Sequence, residues 1–208
     1  MPKPFSNRTG TGAHFHLSIG TKEQKNAFYD KSDKRGLGLS QLGYWFLGGL
    51  LQHARALAAI CAPTINSYKR YQAGTFAPTK AVWSFDNRTA GFRVLGEGPA
   101  TRVECRLPGA DVNPYLAYAA LLAAGIHGIE NELELPPAFS GNAYTAKEIP
   151  EVPKTLRDAV AALDRSRMLR RAFGNEVVDH YVHAGQWEQA EYDRRITDFE
   201  LIRYFERG

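Results

Sequence analysis

The stretch Arg102-Val103-Glu104-Cys105-Arg106 decides how this chain is interpreted. In a β-strand, successive side chains point to opposite faces of the sheet, so Val103 and Cys105 should face one side and the three charged residues the other. Two guanidinium groups that flank a carboxylate suit a site that holds a metal ion and anionic groups together. The simpler alternative is an exposed strand whose charges form salt bridges with one another.

A second strand of the same design is predicted far upstream, over residues 13–19. There His14, His16 and Ser18 share one face, while apolar side chains alternate with them on the other. Imidazole groups bind divalent metals and also contact nucleotides. A structural role for each histidine is the alternative, but two on one strand face after a glycine turn favour a binding site.

Five arginines fall in one short β-rich region of the chain. They would repel one another unless carboxylates or bound anions balance their charge. Glu104 is one such carboxylate, and phosphate is an obvious anion. The segments around them have simpler interpretations too, because residues 66–70 could end a helix and residues 86–89 could form a hairpin turn. The five are Arg70, Arg88, Arg93, Arg102 and Arg106.

The order of elements predicts an α+β fold in one domain, with strands first and helices later. Apolar spacing predicts a long buried helix over residues 39–60, and Asn113 before Pro114 predicts the start of another that runs to residue 129. Trp83 and Trp187 are expected in the core, and residues 197–205 as an amphipathic docking helix. The remaining predictions are strands at 80–86, 90–95 and 101–107, a surface excursion at 131–153, and helices from 154 onward with breaks near Gly174 and Gly185.

Composition excludes several classes of protein. The 208 residues carry a net charge of +4 without a Lys/Arg block, which disfavours a nucleic-acid-binding module. Polar residues interrupt the most apolar stretch, 39–60, so no membrane span is predicted, and the N-terminus lacks the apolar core of a signal peptide. Two cysteines do not make a disulfide framework, and we therefore expect a reducing, cytoplasmic location.

Several motifs together resemble those of the glutamine synthetase catalytic domain. The similarity covers nearly the whole chain and is strongest over residues 1–130. Independent motifs at compatible spacing are far more specific than one short pattern. The resemblance implies a curved antiparallel β-sheet, or half-barrel, backed by helices. The motifs are Met-Pro-Lys-Pro at 1–4, Gly-Thr-Gly-Ala-His-Phe-His at 10–16, Asn-Ser-Tyr-Lys-Arg at 66–70, Asn-Arg at 87–88, Arg-Val-Glu-Cys-Arg at 102–106 and Asn-Pro-Tyr-Leu at 113–116.

The resemblance also implies a two-step reaction, in which ATP phosphorylates the side-chain carboxylate of glutamate and a nitrogen nucleophile then displaces phosphate. The implied cofactors are ATP and Mg²⁺ or Mn²⁺, which with arginines offset charge during phosphoryl transfer. The resemblance assigns a role to each matching position. It implies His14 and Glu104 as metal ligands, and Arg70 and Arg88 as catalytic residues, with Arg88 at the transferred phosphoryl group. The implied ATP contacts are His16, Ser18, Arg88, Arg93 and Arg102, and the implied glutamate contacts are Gly10, Arg70, Arg88 and Arg106.

One departure from the family pattern concerns the nucleophile. Ammonia-using members typically read Gly-Tyr-Glu-Ala-Pro, where this chain has Gly-Thr-Phe-Ala-Pro at 74–78. Phe76 cannot accept a proton or attract ammonium, but it can pack against the carbon chain of an amine. The sequence therefore predicts an organic amine, such as a polyamine or ethanolamine, as in the gamma-glutamylpolyamine synthetase branch. Thr9, where the family often has Asn, is a smaller departure in the glutamate site.

The other departure is an absence. Family members carry a small N-terminal β-grasp domain and further metal-binding glutamates before the Met-Pro-Lys-Pro motif, and neighbouring subunits of a ring share each active site. We therefore expect residues 1–208 to be the C-terminal catalytic portion of a homo-oligomeric enzyme and to be inactive alone. The alternatives are an ammonia-using glutamine synthetase and a non-catalytic relative that keeps the fold.

Overall fold

The computed structural model describes residues 1–207 as a small sheet covered by helices. The four strands are β1 (Phe15–Leu17), β2 (Trp83–Phe85), β3 (Phe92–Leu95) and β4 (Arg102–Cys105). The seven helices are α1 (Gln41–Cys61), α2 (Ile65–Tyr68), α3 (Pro114–Glu130), α4 (Leu156–Asp164), α5 (Arg167–Phe173), α6 (Asn175–Asp193) and α7 (Asp198–Tyr204). Two 3₁₀ turns lie at Gly98–Ala100 and Ala143–Thr145. The strands are shorter than predicted. Their positions along the chain, and the helices that follow residue 154, are as expected.

The sheet has the strand order β1-β4-β3-β2, so the Arg-Val-Glu-Cys-Arg strand lies in its interior. β4 is antiparallel to both neighbours, but β2 and β3 are parallel. The sheet is therefore mixed, where the resemblance implied antiparallel strands throughout. Parallel neighbours usually need a long crossover, yet residues 86–91 alone connect these two. Asp86 in this connection adopts a left-handed backbone conformation, with φ +43°.

The two long predicted helices are confirmed, and they pack tightly against each other. The Ser40 hydroxyl caps the N-terminus of α1 through the Gly43 amide, and the Asn113 side chain caps α3. A Cβ atom added at Gly49 would lie 2.0 Å from the Ala124 carbonyl oxygen, so glycine is needed at this contact. The sheet rests on this helix pair with its apolar side, because Phe15, Val103 and Cys105 are buried in the same core.

Three local predictions need correction. Residues 65–68 form the separate short helix α2, capped by Thr64 and Ser67, where residues 66–70 were expected to end the preceding helix. Gly185 does not interrupt α6; it allows close packing, because an added Cβ would lie 2.5 Å from Val160 Cγ2. Trp187 is 59 % exposed, although Trp83 is buried as predicted.

The C-terminal helix α7 forms where an amphipathic helix was predicted, but it has no buried residue within the described part of the chain. Both cysteines are free and buried. Within residues 1–207, the helices are all too short or too polar to cross a membrane.

Candidate active site

Strand pairing places three of the predicted site residues in one row across the sheet. His16 on β1 lies opposite Glu104 on β4, and Glu104 lies opposite Arg93 on β3. Directly opposite residues project from the same face, so their side chains converge. The polar face predicted from alternation in the sequence therefore becomes a site that three strands build together.

Glu104 is the centre of this row, and both of its oxygens are bound. Arg106 Nη1 lies 2.9 Å from each carboxylate oxygen, and Arg93 Nη1 lies 3.3 Å from Oε2. The side chains of Glu104 and Arg106 are each 4 % exposed. Burial alone would raise the pKa of Glu104, but the hydrogen bond and charge of Arg106, with His14 and Arg93, outweigh it and lower the pKa. We call Arg93, Glu104 and Arg106 the sheet cluster.

The rim of the sheet cluster is held by three further contacts. Arg93 Nε donates a 3.0 Å hydrogen bond to Asp86 in the tight β2–β3 connection. Arg102 Nε donates to His16 Nδ1 over 3.1 Å, while His16 Nε2 lies 3.7 Å from Glu104. Arg102 is thus linked to Glu104 through His16, and positive charge extends along the row toward solvent.

Arg70 lies beside the glycine turn that precedes β1. It is 3 % exposed, and its guanidinium donates to the backbone carbonyl of Leu107, one residue beyond Arg106. A Cβ atom added at Gly10 would lie 2.8 Å from Arg70 Cγ, so only glycine permits this approach. The predicted glutamate contacts Gly10, Arg70 and Arg106 are therefore neighbours, although they come from three motifs that are distant in sequence.

The buried arginines keep unused hydrogen-bonding capacity. Within the described residues, the Nε atoms of Arg70 and Arg106 are shielded from solvent and have no hydrogen-bond partner. Unpaired buried donors are costly, and an anion could satisfy them. The donor chemistry therefore fits a carboxylate or phosphate ligand.

The predicted metal ligands fit a divalent ion only in part. The pKa of His14 is lowered to about 4, mainly because its ring is partly desolvated and also because the charge of Arg106 is near. His14 is therefore neutral at physiological pH and can donate a lone pair. Glu104 is ionised, but both its oxygens are occupied by arginines. Within residues 1–207, no three His, Cys, Asp or Glu side chains converge as a metal site. Two protein ligands would leave the other coordination positions of Mg²⁺ to water, substrate phosphate or residues outside this part of the chain.

Phe76 lies at the edge of the site in a strained loop. Its φ of +57° is unusual for a bulky residue, and the neighbouring Gly74 has a φ of +77°. The side chain is 60 % exposed, whereas the Phe76 carbonyl accepts a 3.1 Å hydrogen bond from Arg106 Nη2. Phe76, predicted to stand where ammonia-using members have glutamate, is therefore anchored directly to the sheet cluster.

The structure does not bring two of the predicted site residues into this network of side-chain contacts. Arg88 is exposed on the turn after β2 and forms no ion pair or side-chain hydrogen bond within residues 1–207. Ser18 is also exposed and lies just beyond the end of β1.

Two other residues were not identified from the sequence. Asp86, the partner of Arg93, looked like an ordinary turn residue. Tyr144 lies in the proline-rich segment 131–153, and its only signal in the sequence is that it is an aromatic residue in a polar loop. Its hydroxyl lies beside the Phe76 backbone and the Arg106 guanidinium.

Comparison with known families gives a match along nearly the whole chain. The model of the glutamine synthetase catalytic domain matches residues 1–204. The chain is similar to a gamma-glutamylethanolamide synthetase of Streptomyces coelicolor, with 47 % identity over 98 % of the chain and 43 % of the relative. It is also similar to a glutamate–methylamine ligase of Methyloversatilis universalis, with 43 % identity over 99 % of the chain and 48 % of the relative.

A glutamine synthetase of Thermotoga maritima is 42 % identical over 98 % of the chain and 48 % of its own length. Among solved structures, a GmaS–ADP complex superposes with a TM-score of 0.90 at 36 % identity, over 99 % of this chain and 48 % of the other. The chain thus spans about half the length of the curated relatives that it matches.

Proposed function

The chain belongs to the glutamine synthetase catalytic-domain family, and we propose that it forms part of an ATP-dependent ligase that joins glutamate to an organic amine. The sheet cluster and the arginines beside it carry this proposal, because Arg70, Arg93, Arg102 and Arg106 outnumber the two carboxylates of the site, Glu104 and Asp86, and leave excess positive charge for anionic substrates. Alkyl or hydroxyalkyl amines are the favoured nucleophiles, and ethanolamine, methylamine and polyamines are the candidates.

The proposed chemistry has two steps. An oxygen of the glutamate side-chain carboxylate attacks the γ-phosphorus of ATP, and ADP leaves. The amine nitrogen then attacks the acyl carbon, the bond to phosphate breaks, and the nitrogen loses a proton as the amide forms. Negative charge accumulates in the first step, so preorganised cations lower its barrier.

Within this proposal, the arginines divide the anionic groups among them. Arg70 and Arg106 bind glutamate beside Gly10, and Arg93 and Arg102 bind ATP with His16 and Ser18. The unpartnered Nε donors of Arg70 and Arg106 support the first pair. The exposed Arg88 has no competing partner within residues 1–207, which leaves it free to contact the transferred phosphoryl group.

A bound Mg²⁺ or Mn²⁺ would neutralise phosphate charge during the transfer. His14 and Glu104 are the two ligands that this part of the chain could supply. The remaining ligands would come from elsewhere in the full-length enzyme or from a neighbouring subunit of a homo-oligomeric ring. We therefore propose that residues 1–208 have little ligase activity when isolated. The cytoplasm, where glutathione keeps the two free cysteines reduced, is the proposed location.

Phe76 supports an amine over ammonium as the nucleophile. A phenyl ring cannot take a proton from ammonium, and it offers about 60 % of its surface to an incoming carbon chain. The relatives named for ethanolamine and methylamine chemistry support the same choice. An ammonia-using glutamine synthetase is the second candidate, because ammonia-using relatives are almost equally similar in sequence.

The test compares nucleophiles in the full-length protein. Amide product and phosphate are measured with glutamate, ATP and either ammonium, methylamine, ethanolamine or putrescine. We expect kcat/KM for at least one organic amine to exceed that for ammonium by about 10-fold or more, since burying a few methylene groups contributes roughly 0.8 kcal/mol each. Equal or better use of ammonium would refute the amine proposal.

The variant Phe76→Glu sharpens the test, with Phe76→Leu as its matched control. The carboxylate should raise kcat/KM for ammonium and lower it for the organic amine, because it attracts a cation and accepts its proton. The apolar leucine should keep the amine preference. An unchanged preference in Phe76→Glu would show that this position does not select the nucleophile.

A further inference from the structure

Lys3 is a buried charged residue that the proposed reaction does not use. It is 7 % exposed, and its ammonium donates hydrogen bonds to the backbone carbonyls of Ser6, over 3.4 Å, and of Arg8. The lysines that form salt bridges within residues 1–207 are Lys80 and Lys154. A buried ammonium without a carboxylate partner is costly unless other acceptors satisfy it, so the two carbonyls and Lys3 hold one another in place.

The carbonyls bound by Lys3 belong to an exposed loop. Residues 4–9 are all exposed, and they connect the Met-Pro-Lys-Pro motif to the glycine turn before β1. In the part of the chain that the structure describes, the side-chain hydrogen bonds to this loop all come from Lys3. The conformation of the loop therefore depends on one ammonium group.

Asn66 fixes the backbone of Lys3. Its side-chain oxygen accepts a 2.8 Å hydrogen bond from the Lys3 amide, and its Nδ2 donates to the Lys3 carbonyl over 2.9 Å. Asn66 lies in the short helix α2 and begins the motif at 66–70, which ends in Arg70. Lys3 is thereby attached to the segment that supplies a proposed glutamate contact.

The glycine turn is held between these same two segments. The Thr11 amide donates to the Pro2 carbonyl over 2.7 Å. A Cβ atom added at Gly10 would lie 2.6 Å from that Pro2 oxygen and 2.8 Å from Arg70 Cγ. A small displacement of residues 2–9 would therefore change how Gly10 lies against Arg70, where the glutamate substrate is proposed to bind.

We propose that Lys3 is a positioning residue of the glutamate subsite. Its ammonium fixes the loop at residues 4–9, Asn66 fixes its backbone, and together they set the position of Gly10 against Arg70. Lys3 acts through this loop and not by contact with the substrate. The assignment gives a role to two motif residues that the proposed contacts leave unexplained, and it rests on the proposed function for the identity of the ligand.

The variant Lys3→Met tests the assignment in the full-length protein, because it keeps an unbranched apolar stem and removes the donors. Lys80→Met is the matched control, since Lys80 is 8 % exposed and binds Glu151, outside the glutamate subsite. Calorimetric titrations with glutamate and, separately, with ATP give the two Kd values. We expect Kd for glutamate to rise by about 10-fold in Lys3→Met, because a subsite that is no longer preorganised binds more weakly. Kd for ATP, and both Kd values of Lys80→Met, should stay within about twofold of the wild type.

Asn66→Ala is a second variant, which releases the same loop without changing a buried charge. It should raise Kd for glutamate by about threefold or more and leave Kd for ATP unchanged. Combined with Lys3→Met, its effect should be less than multiplicative, because residues in one hydrogen-bond network are energetically coupled. Asn66→Ala decides the assignment if Lys3→Met fails to fold.

The outcomes separate this assignment from the proposed function. If the wild type binds glutamate but makes no amide with ammonium or any amine tested, the proposed function fails, while a glutamate-specific rise in Kd in the variants still supports Lys3. An unchanged Kd for glutamate in Lys3→Met or in Asn66→Ala overturns the assignment. Equal losses for glutamate and ATP, or the same losses in Lys80→Met, overturn it too, because they indicate a general structural role. A wild type that does not bind glutamate refutes both proposals.

Discussion

Two clusters of arginine and carboxylate side chains in this molecule use the same chemistry in opposite environments. In the sheet cluster, Glu104 is bound by Arg106 and Arg93 over 2.9 and 3.3 Å. In a second group on the helices, Arg170 binds Asp164 and Asp179 over 2.6 and 2.7 Å. We call this group the helix cluster.

Burial separates the two clusters more than distance does. Side chains of the sheet cluster are 4–12 % exposed, whereas those of the helix cluster are 23–61 % exposed. Exposed ion pairs contribute little because water and salt screen them, and buried charges are costly when their partner is removed. The shorter contacts are therefore the weaker ones in energy, and the buried, cation-rich cluster is the one suited to bind anions.

The largest effect is expected when the centre of the sheet cluster is removed. Glu104→Ala leaves Arg93 and Arg106 without a shared carboxylate, and we expect the free energy of unfolding to fall by about 3–5 kcal/mol. Urea unfolding followed by circular dichroism measures this change. A loss below about 1 kcal/mol would mean that the buried arginines find other partners and that burial does not distinguish the clusters.

An intermediate effect on stability is expected at the pair of histidines between α1 and α3. There His53 Nε2 lies 3.2 Å from His127 Nδ1. Burial, and then His127, lower the pKa of His53 to about 4. Arg55, Arg165 and Arg167 line the same groove and add positive charge.

The unfolded chain binds a proton at His53 near pH 6.5, whereas the folded chain resists it down to about pH 4. The stability that neutral His53 contributes is therefore complete above pH 6.5 and is lost as the pH falls toward 4. His53→Gln should flatten the pH dependence of the midpoint of urea unfolding in this window. A profile that is as steep as that of the wild type would assign the acid sensitivity to other groups.

The smallest effect is expected in the helix cluster. Asp179→Asn removes one exposed partner of Arg170 and leaves Asp164 in place. The free energy of unfolding should change by less than about 1 kcal/mol, and high salt should reduce the difference further. A cost comparable to that of Glu104→Ala would contradict the comparison between the clusters.

The sequence predicted the helices better than the details of the site. α1 and α3 were located within one or two residues because their caps and apolar spacing are local signals. The parallel pairing of β2 and β3 was not predicted, because the six residues 86–91 that join them are fewer than the dozen or more that a parallel connection usually needs. A glycine at 185 predicts a helix break from local sequence alone, because the packing partner that requires it, Val160, lies in a different helix.

By itself, the sequence determined which side of β4 is polar, because alternation along a strand needs no other part of the chain. It also identified the family through short motifs whose residues are neighbours in sequence. Only the tertiary structure decided that His16, Glu104 and Arg93 form one row and that Glu104 is buried between two arginines. It also decided that Tyr144 reaches Phe76. Strand register and loop docking depend on contacts between distant segments, and no local pattern in the sequence specifies them.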